Sequence, residues 1–589
     1  MTSGTLVRIV GALAEATGLG AIALNELVFV GRRQLVGEVL RVNGDLATIQ
    51  VFEDTTGLQV GEPVVAGGQP LTIELGPGLL GSVIDGIGRP LDRLAALSGQ
   101  FIRPGATAPT LDRERRFRFT PACAPGDRVE PGDVVGTAED RGGFVHAILA
   151  PPGRAGQVRA VRAADVTVTE PVVTLEAGPP MCLMQQWPVR RPRPVASRER
   201  ATRPFLTGQR VFDFLFPVAE GGTVAVPGGF GTGKTVIEQT LAKYGEADVV
   251  VYIGCGERGN EMAEVLHDFA TLVDPRHGRP LLDRTVLVVN TSNMPVAARE
   301  ASVYVGLTIA EYFRDMGRRV AVMADSLSRW AEALREVSSR QQEMPGEEGY
   351  PTSLASRAAS LHERAGCVRC LGRPARAGSV TIISAVSPPG GDFSEPVTEA
   401  CLRVTGALWA LDASLAHQRQ FPAVDWETSF TLEGDALART FDETVDARWS
   451  DTRGRVLDVL QRDADAREIA AVVGPEALED HDRLLLAIAA AIREFVLGQN
   501  AFDPNDASSP PAKTFALADA AVRALDRGLE AIRRGLSFAE LPLDDFRRAL
   551  SLLRDAPAAG IGAARHDVDA FIDALASAPV ARMDPGGRR

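Results

Sequence analysis

The stretch VAVPGGFGTGKTVIEQ, residues 224–239, constrains the fold more than any other part of the chain. An apolar strand runs into a glycine-rich turn, which delivers Lys234 and Thr235 into a helical pattern. Gly228, Gly233, Lys234 and Thr235 fit the spacing G-x-x-x-x-G-K-[ST]. Gly228, Gly229, Phe230, Gly231, Thr232 and Gly233 then form a loop whose backbone N–H groups turn inward around phosphate oxygens. The helix that follows adds the positive end of its dipole. In such a loop the lysine reaches the β- and γ-phosphates and the threonine hydroxyl coordinates magnesium. Nearly all basic residues here are arginine, and the only lysines are Lys234, Lys243 and Lys513, so a chance match is rare. The loop also sits between a strand and a helix, as its mechanism requires.

The rest of the chain fits a core of that kind. Between about 205 and 430, the apolar strands TVAVP, DVVVYIG, RTVLVVN, RRVAVMAD and SVTIISAV alternate with helical patterns. That alternation predicts a mostly parallel sheet covered on both faces. Residues from about 5 to 68 read as short strands, with Asn43-Gly44 as a hairpin turn. The N-terminal run VRIVGALAEATGLGAIAL has its apolar character broken by Glu15 and glycines, so it reads as strands and not as a signal peptide. Residues 110–185 form a second β-rich segment, similar in pattern to the hammerhead of biotinyl and lipoyl carriers. No lysine lies there, which excludes a carrier role. A Pro/Arg-rich connector, WPVRRPRPVASRERATRP, leads from it into the sheet region. After about 435 the chain turns helical. Ala518, Val522, Leu525, Leu529 and Ile532 make one apolar stripe, read first as a bundle core and alternatively as a surface for a partner helix. DPNDASSPPA interrupts this region as a loop, and ARMDPGGRR is a frayed tail.

Composition sets limits on function. A net charge of −13 argues against a dedicated nucleic-acid surface. The longest apolar run, 484–492, is far short of the roughly 20 residues a membrane helix needs. Six scattered cysteines show no disulfide framework and fit a reducing cytoplasm. Cys367 and Cys370 form one CxxC without a second, so they read as incidental thiols in a hairpin before they read as a metal or redox site.

Chemistry needs more than a phosphate cradle. GCGERGNEM places Glu257 just past an apolar strand, on the carboxyl edge of the sheet, where a carboxylate can hold water in line with a γ-phosphate. Position alone equally allows a solvated loop glutamate paired with Arg258. RRVAVMADSLSRW ends a strand at Asp325, which fits a magnesium-side carboxylate better than it fits a cap for the next helix.

Taken together these blocks closely resemble the catalytic A (alpha) subunit of the V/A-type rotary ATPases. The resemblance spans nearly the whole chain and includes NTSNMPVAARE, TIAEYFRDMG, SRWAEALRE, EMPGEEGYP, SPPGGDFSEPV and FPAVDW, in order. It implies a multidomain α/β chain: an N-terminal β-barrel over 1–70, the β-rich insertion over 110–185, a RecA-like P-loop domain over 200–434 and a C-terminal helical domain over 435–589. The insertion separates A subunits from B subunits and from F-type catalytic subunits. The resemblance further implies ATP/ADP and Mg2+ as cofactors, with Lys234 and Thr235 as phosphate and magnesium ligands. Glu257 would activate water, Arg258 would be its phosphate-side neighbour and Asp325 the magnesium-side aspartate. Phe421 and Phe502 would sandwich adenine. The implied partners are B subunits in an alternating ring of three A and three B, with central-shaft and peripheral-stalk subunits. The implied location is cytoplasmic, peripheral to the membrane, with proton or sodium transport in a sector built from other chains. The chain departs from the family pattern at Leu327, Gln420 and Ser429-Phe430-Thr431, and in opening its loop GGFG. The competing readings are a ring subunit without catalytic activity, or else a hexameric helicase or secretion ATPase. The first predicts loss of Lys234 or Glu257, and the acidic balance and the insertion weigh against the second.

Overall fold

A computed structural model describes residues 2–99 and 101–577, so the ARMDPGGRR tail lies outside the described residues. The chain divides into two compact units. The first comprises residues up to 201, 220–228 and 246–405, and the second 202–219, 229–245 and 406 onward.

In the first unit, the strands Ser3–Val10, Leu13–Thr17, Glu26–Val30, Leu35–Asn43, Leu46–Val51 and Pro63–Pro70 close into a barrel. Alternation decides which side chains go inside: Leu6, Ala14, Val28, Val30, Val39, Ile49 and Val64 are buried together. Asn43 pairs with Leu46 across a tight turn in which Gly44 takes a positive φ of 61°, a conformation glycine adopts without penalty. Residues 116–182 fold into two four-stranded antiparallel sheets, with Arg116–Pro121, Val134–Glu139 and Val145–Leu149 in one and Gly156–Val161 and Pro171–Leu175 in the other.

The centre of this unit is a run of six parallel strands. Their order is Thr223–Pro227, Ala377–Val386, Arg319–Asp325, Val249–Glu257, Thr285–Thr291 and Val83–Asp85. Five of them are the apolar runs read from the sequence. The sixth, Val83–Asp85, comes from a stretch with no strand signal, because three residues on a sheet edge need no long apolar run. The helix Val296–Asp315 is buried almost end to end against the sheet. The Cys367 strand, Gly366–Arg369, pairs antiparallel with Ala377–Val386 in a hairpin. The Cys367 thiol donates to the Glu220 carbonyl (3.0 Å) and the Cys370 thiol to the Arg314 carbonyl (3.2 Å).

The second unit holds the helix Lys234–Tyr244 and a bundle of helices. These are Gly434–Thr444, Trp449–Val473, Asp480–Ala491, Pro511–Arg533, Leu543–Asp555 and Ile561–Ser577. Within the predicted stripe, Ala518, Val522 and Leu525 are buried, and their helix packs on its neighbours in the bundle. Trp449 anchors the bundle base, stacked 4.3 Å from Phe441 and 6.0 Å from Phe515. No helix among the described residues is long and apolar enough to cross a membrane.

Candidate nucleotide-binding site

The phosphate loop lies in the second unit from Gly229 on, while Gly228 ends the preceding segment of the first unit. Gly231 and Gly233 take φ values of 80° and 88°, which a side chain would strain, so the glycines are required by backbone shape. Two bonds brace the turn: the Thr232 hydroxyl and the Lys234 ammonium each donate to the Gly229 carbonyl at 2.9 Å. Helix Lys234–Tyr244 begins at once, with Ile237 N–H bonding back to Gly233, so the first-turn amides open onto the loop. Thr235 is half-buried in that first turn, and Phe230 stands exposed on the loop crest.

Beside the loop, in the same unit, is a cavity of about 670 Å³. Thr232, Gly233 and Val236 form one wall, and Phe421, Gln499 and Phe502 form another. A side chain on Gly233 would sit 3.8 Å from the Phe421 ring, which shows how closely the aromatic leans over the loop. Phe421 and Phe502 are 46% and 90% exposed, and two large rings facing one cavity mark a surface made to be covered. The segments carrying them are joined, because Gln499 N–H donates to the Phe421 carbonyl at 2.8 Å. Gln499 also donates through Nε2 to the carbonyls of Gly208 and Asp506. Arg210, fully buried, binds both Asp506 and the Gly498 carbonyl at 2.5 Å and pins the Phe502 loop from behind.

The carboxylates are in the first unit. Glu257 and Asp325 end neighbouring strands, with Gly254 in register with Asp325. Gly256 has φ 75°, and a Cβ there would meet Arg329 Cβ at 2.7 Å and Arg299 Cδ at 2.9 Å. The strand end therefore threads between two arginines, and neither was singled out in the sequence. The only local signal was the glycine itself, inside GCGERG. The Glu257 carboxyl is pushed well above the ordinary carboxylate range. Desolvation is the main cause, followed by the negative charge of Asp325 and a shared hydrogen bond with Glu261, against a smaller opposing pull from Arg329. Asp325 is buried and accepts a hydrogen bond from the Tyr252 hydroxyl at 3.2 Å, and it is Ser326 that occupies the N-cap position of helix Leu327–Arg340. Arg258 is largely exposed, with Nη1 3.7 Å from Glu261. Arg329 binds both carboxylate oxygens of Glu332 at 3.0 Å.

A strand–loop–helix phosphate cradle, an aromatic-walled cavity and a parallel sheet with carboxylates at its carboxyl edge define a P-loop nucleotide-binding protein. Four family descriptions match along the chain, in order. They are the ATP synthase alpha/beta family β-barrel domain (residues 6–68), the alpha/beta subunit barrel-sandwich domain (108–190), the alpha/beta family nucleotide-binding domain (208–431) and the C-terminal domain of V and A type ATP synthase (438–541). The V-type ATP synthase alpha chain of Anaeromyxobacter dehalogenans (strain 2CP-C) is 57% identical over 569 residues, covering 94% of this chain and 98% of its own. An A-type ATP synthase chain of Methanopyrus kandleri is 50% identical, covering 92% and 94%. The chain belongs to this family, the V-type ATP synthase alpha chains with their A-type counterparts. The assembled ATPase EscN of the enteropathogenic E. coli type III secretion system superposes with a TM-score of 0.63 over 88% of this chain and 100% of its own. At 22% identity that likeness concerns the fold alone.

Proposed function

We propose that this chain is the member of a V/A-type ATP synthase that interconverts ATP with ADP and phosphate. The reaction is coupled to proton or sodium transport through a membrane sector formed by other chains. The observation that carries this reading is Glu257, a strand-end carboxyl whose proton affinity is raised toward neutrality. A general base works best when its pKa approaches the working pH, and burial beside Asp325 supplies that shift here.

The residues divide the work. The inward amides of Gly229–Gly233 and the Lys234 ammonium bind and orient the phosphates. Phe421 and Phe502 stack on the adenine ring. Thr235 and Asp325 are the residues that would hold a magnesium ion. The donor set suits it, since magnesium takes a hydroxyl, one or two carboxylates, water and substrate phosphates in place of an all-protein cage. When bound, that ion neutralises charge on the phosphate oxygens. Glu257 orients the attacking water and takes its proton, and Arg258 stands on the phosphate side. Every group named comes from this one chain, and the cation facing the developing γ-phosphate charge comes from a B subunit in an alternating ring. The chain meets the membrane only through such partners and works on its cytoplasmic face.

The test is Glu257→Gln in the assembled complex, which preserves shape and hydrogen bonding but removes the base. ATP binding should persist while hydrolysis falls by roughly 10²- to 10⁴-fold. Equal losses of binding and turnover would reassign Glu257 to a structural role.

A further inference from the structure

The cavity that holds Phe421 and Phe502 extends to a polar end wall that the roles above leave unused. Helix Asp480–Ala491 does not stop as an ordinary α-helix. It continues as a π-helical turn, Ile492–Leu497, which leads directly into the Phe502 loop. Such turns are rare and recur at functional sites. This one brings Arg493 and Glu494 to the cavity, where Arg547 and Arg554 of the helix Leu543–Asp555 also line it. Three of the four arginines on the cavity are paired with a carboxylate: Arg493 with Asp463, Arg547 with Glu494 and Arg554 with Asp555. The fourth, Arg419, stands two residues from Phe421.

That pairing matters for a purine. At the C6/N7 edge guanine presents a 6-oxo acceptor and N7, the pattern an open guanidinium reads best, whereas adenine presents a 6-amino donor, from which a carboxylate accepts. Arg547 stripped of its carboxylate would therefore favour guanine, as Arg419 would wherever it meets the same edge. A carboxylate that met guanine's N1–H and 2-amino donors would instead make GTP the tighter ligand, the opposite of the order expected below. Glu494 holds Arg547 through Oε2 alone, and Oε1 makes no hydrogen bond among the described residues. Its side chain is 43% exposed, so that second oxygen is available to a ligand.

We propose that Glu494 is the specificity-determining residue of the base cavity. Its carboxylate accepts the 6-amino group of adenine and repels the 6-oxo group of guanine, and it keeps Arg547 from reading guanine. The assignment rests on the cavity being the base seat, and the experiment separates the two. Isothermal titration calorimetry on the full-length chain measures ATP, GTP and purine riboside triphosphate, which has no group at C6, each with magnesium. Wild type should bind ATP best, the unsubstituted purine next and GTP least. Glu494→Gln should cut the ATP-over-GTP preference by roughly tenfold or more, largely through a gain in GTP binding. A damaged fold cannot produce that gain. Arg547→Met should keep the preference for ATP, because the carboxylate remains. Phe502→Ala tests the seat itself and should weaken all three ligands alike. If Phe502→Ala weakens binding while Glu494→Gln leaves the ATP-to-GTP ratio unchanged, Glu494 does not select the base. If Phe502→Ala changes nothing, the base lies elsewhere and both assignments fall.

Discussion

Glu257 has its proton affinity raised first by burial, then by Asp325 at the end of a neighbouring strand and by Glu261 one helical turn on, against a smaller pull from Arg329. Because its pKa is higher in the folded chain than in the unfolded one, folding favours the protonated form. The stability this contributes is fully present below the ordinary glutamate range and is lost as pH rises through the raised value. Glu257→Gln should therefore raise the melting temperature of the nucleotide-free chain at pH 8, on the order of a few °C, and change it little near pH 4. A melting difference independent of pH would contradict the assignment. The residue itself was legible in the sequence, since a glutamate just past an apolar strand is a local pattern. Its surroundings were not. Arg299 and Arg329 reach Gly256 across the fold, and nothing in the order of residues says that two distant helices will meet at one glycine.

The connector read as a Pro/Arg-rich linker is, as an element, a clasp. Arg190 binds Glu38 of the barrel and Glu300 of helix Val296–Asp315, and both carboxylates are buried. Arg193 binds Asp315 at 2.6 Å, and the same helix's Glu311 binds Arg364. Removing one partner of a buried pair strands the other. Arg190→Ala should thus destabilise the first unit by about 3–5 kcal/mol in denaturant titration. Arg8→Ala, which loses only an exposed pair with Glu15, should leave the transition where it was. The same helix meets the 116–182 sheets through Tyr312, whose hydroxyl lies 2.7 Å from His146 Nε2. Burial, with help from Arg318, depresses His146 to about 3. Its contribution to stability is present above the ordinary histidine pKa of about 6.5 and is lost as pH falls below it. The melting temperature should decline from pH 6.5 toward 4 more steeply in wild type than in His146→Gln, even if the variant starts lower. Periodicity revealed these elements as helix or strand, but a charged linker looks the same from sequence whether it is solvated or clasped.

At the scale of the whole molecule, the parallel sheet was legible because five of its strands are continuous apolar runs. The edge strand Val83–Asp85 was not, because its place is set by its partner Thr285–Thr291. The proposed completion of the site by a neighbouring chain would likewise be a property of the whole assembly. The purified chain should bind ATP with magnesium yet turn it over only marginally. Adding the B subunit should raise turnover by about 10³- to 10⁵-fold, the range an arginine supplied in trans contributes. A monomer, verified by light scattering, that hydrolyses ATP as fast as the mixed ring would end that mechanism. The interleaving of the two units along the chain also bears on how the protein is made. The helix Lys234–Tyr244 emerges early in translation, but most of the unit it belongs to starts at residue 406. While the ribosome works through the intervening 160 residues (246–405), the apolar face of that helix, Ile237 and Leu241, has no finished home. A nascent chain arrested near residue 400 should therefore engage chaperones through this segment, and release should come only with synthesis of the bundle.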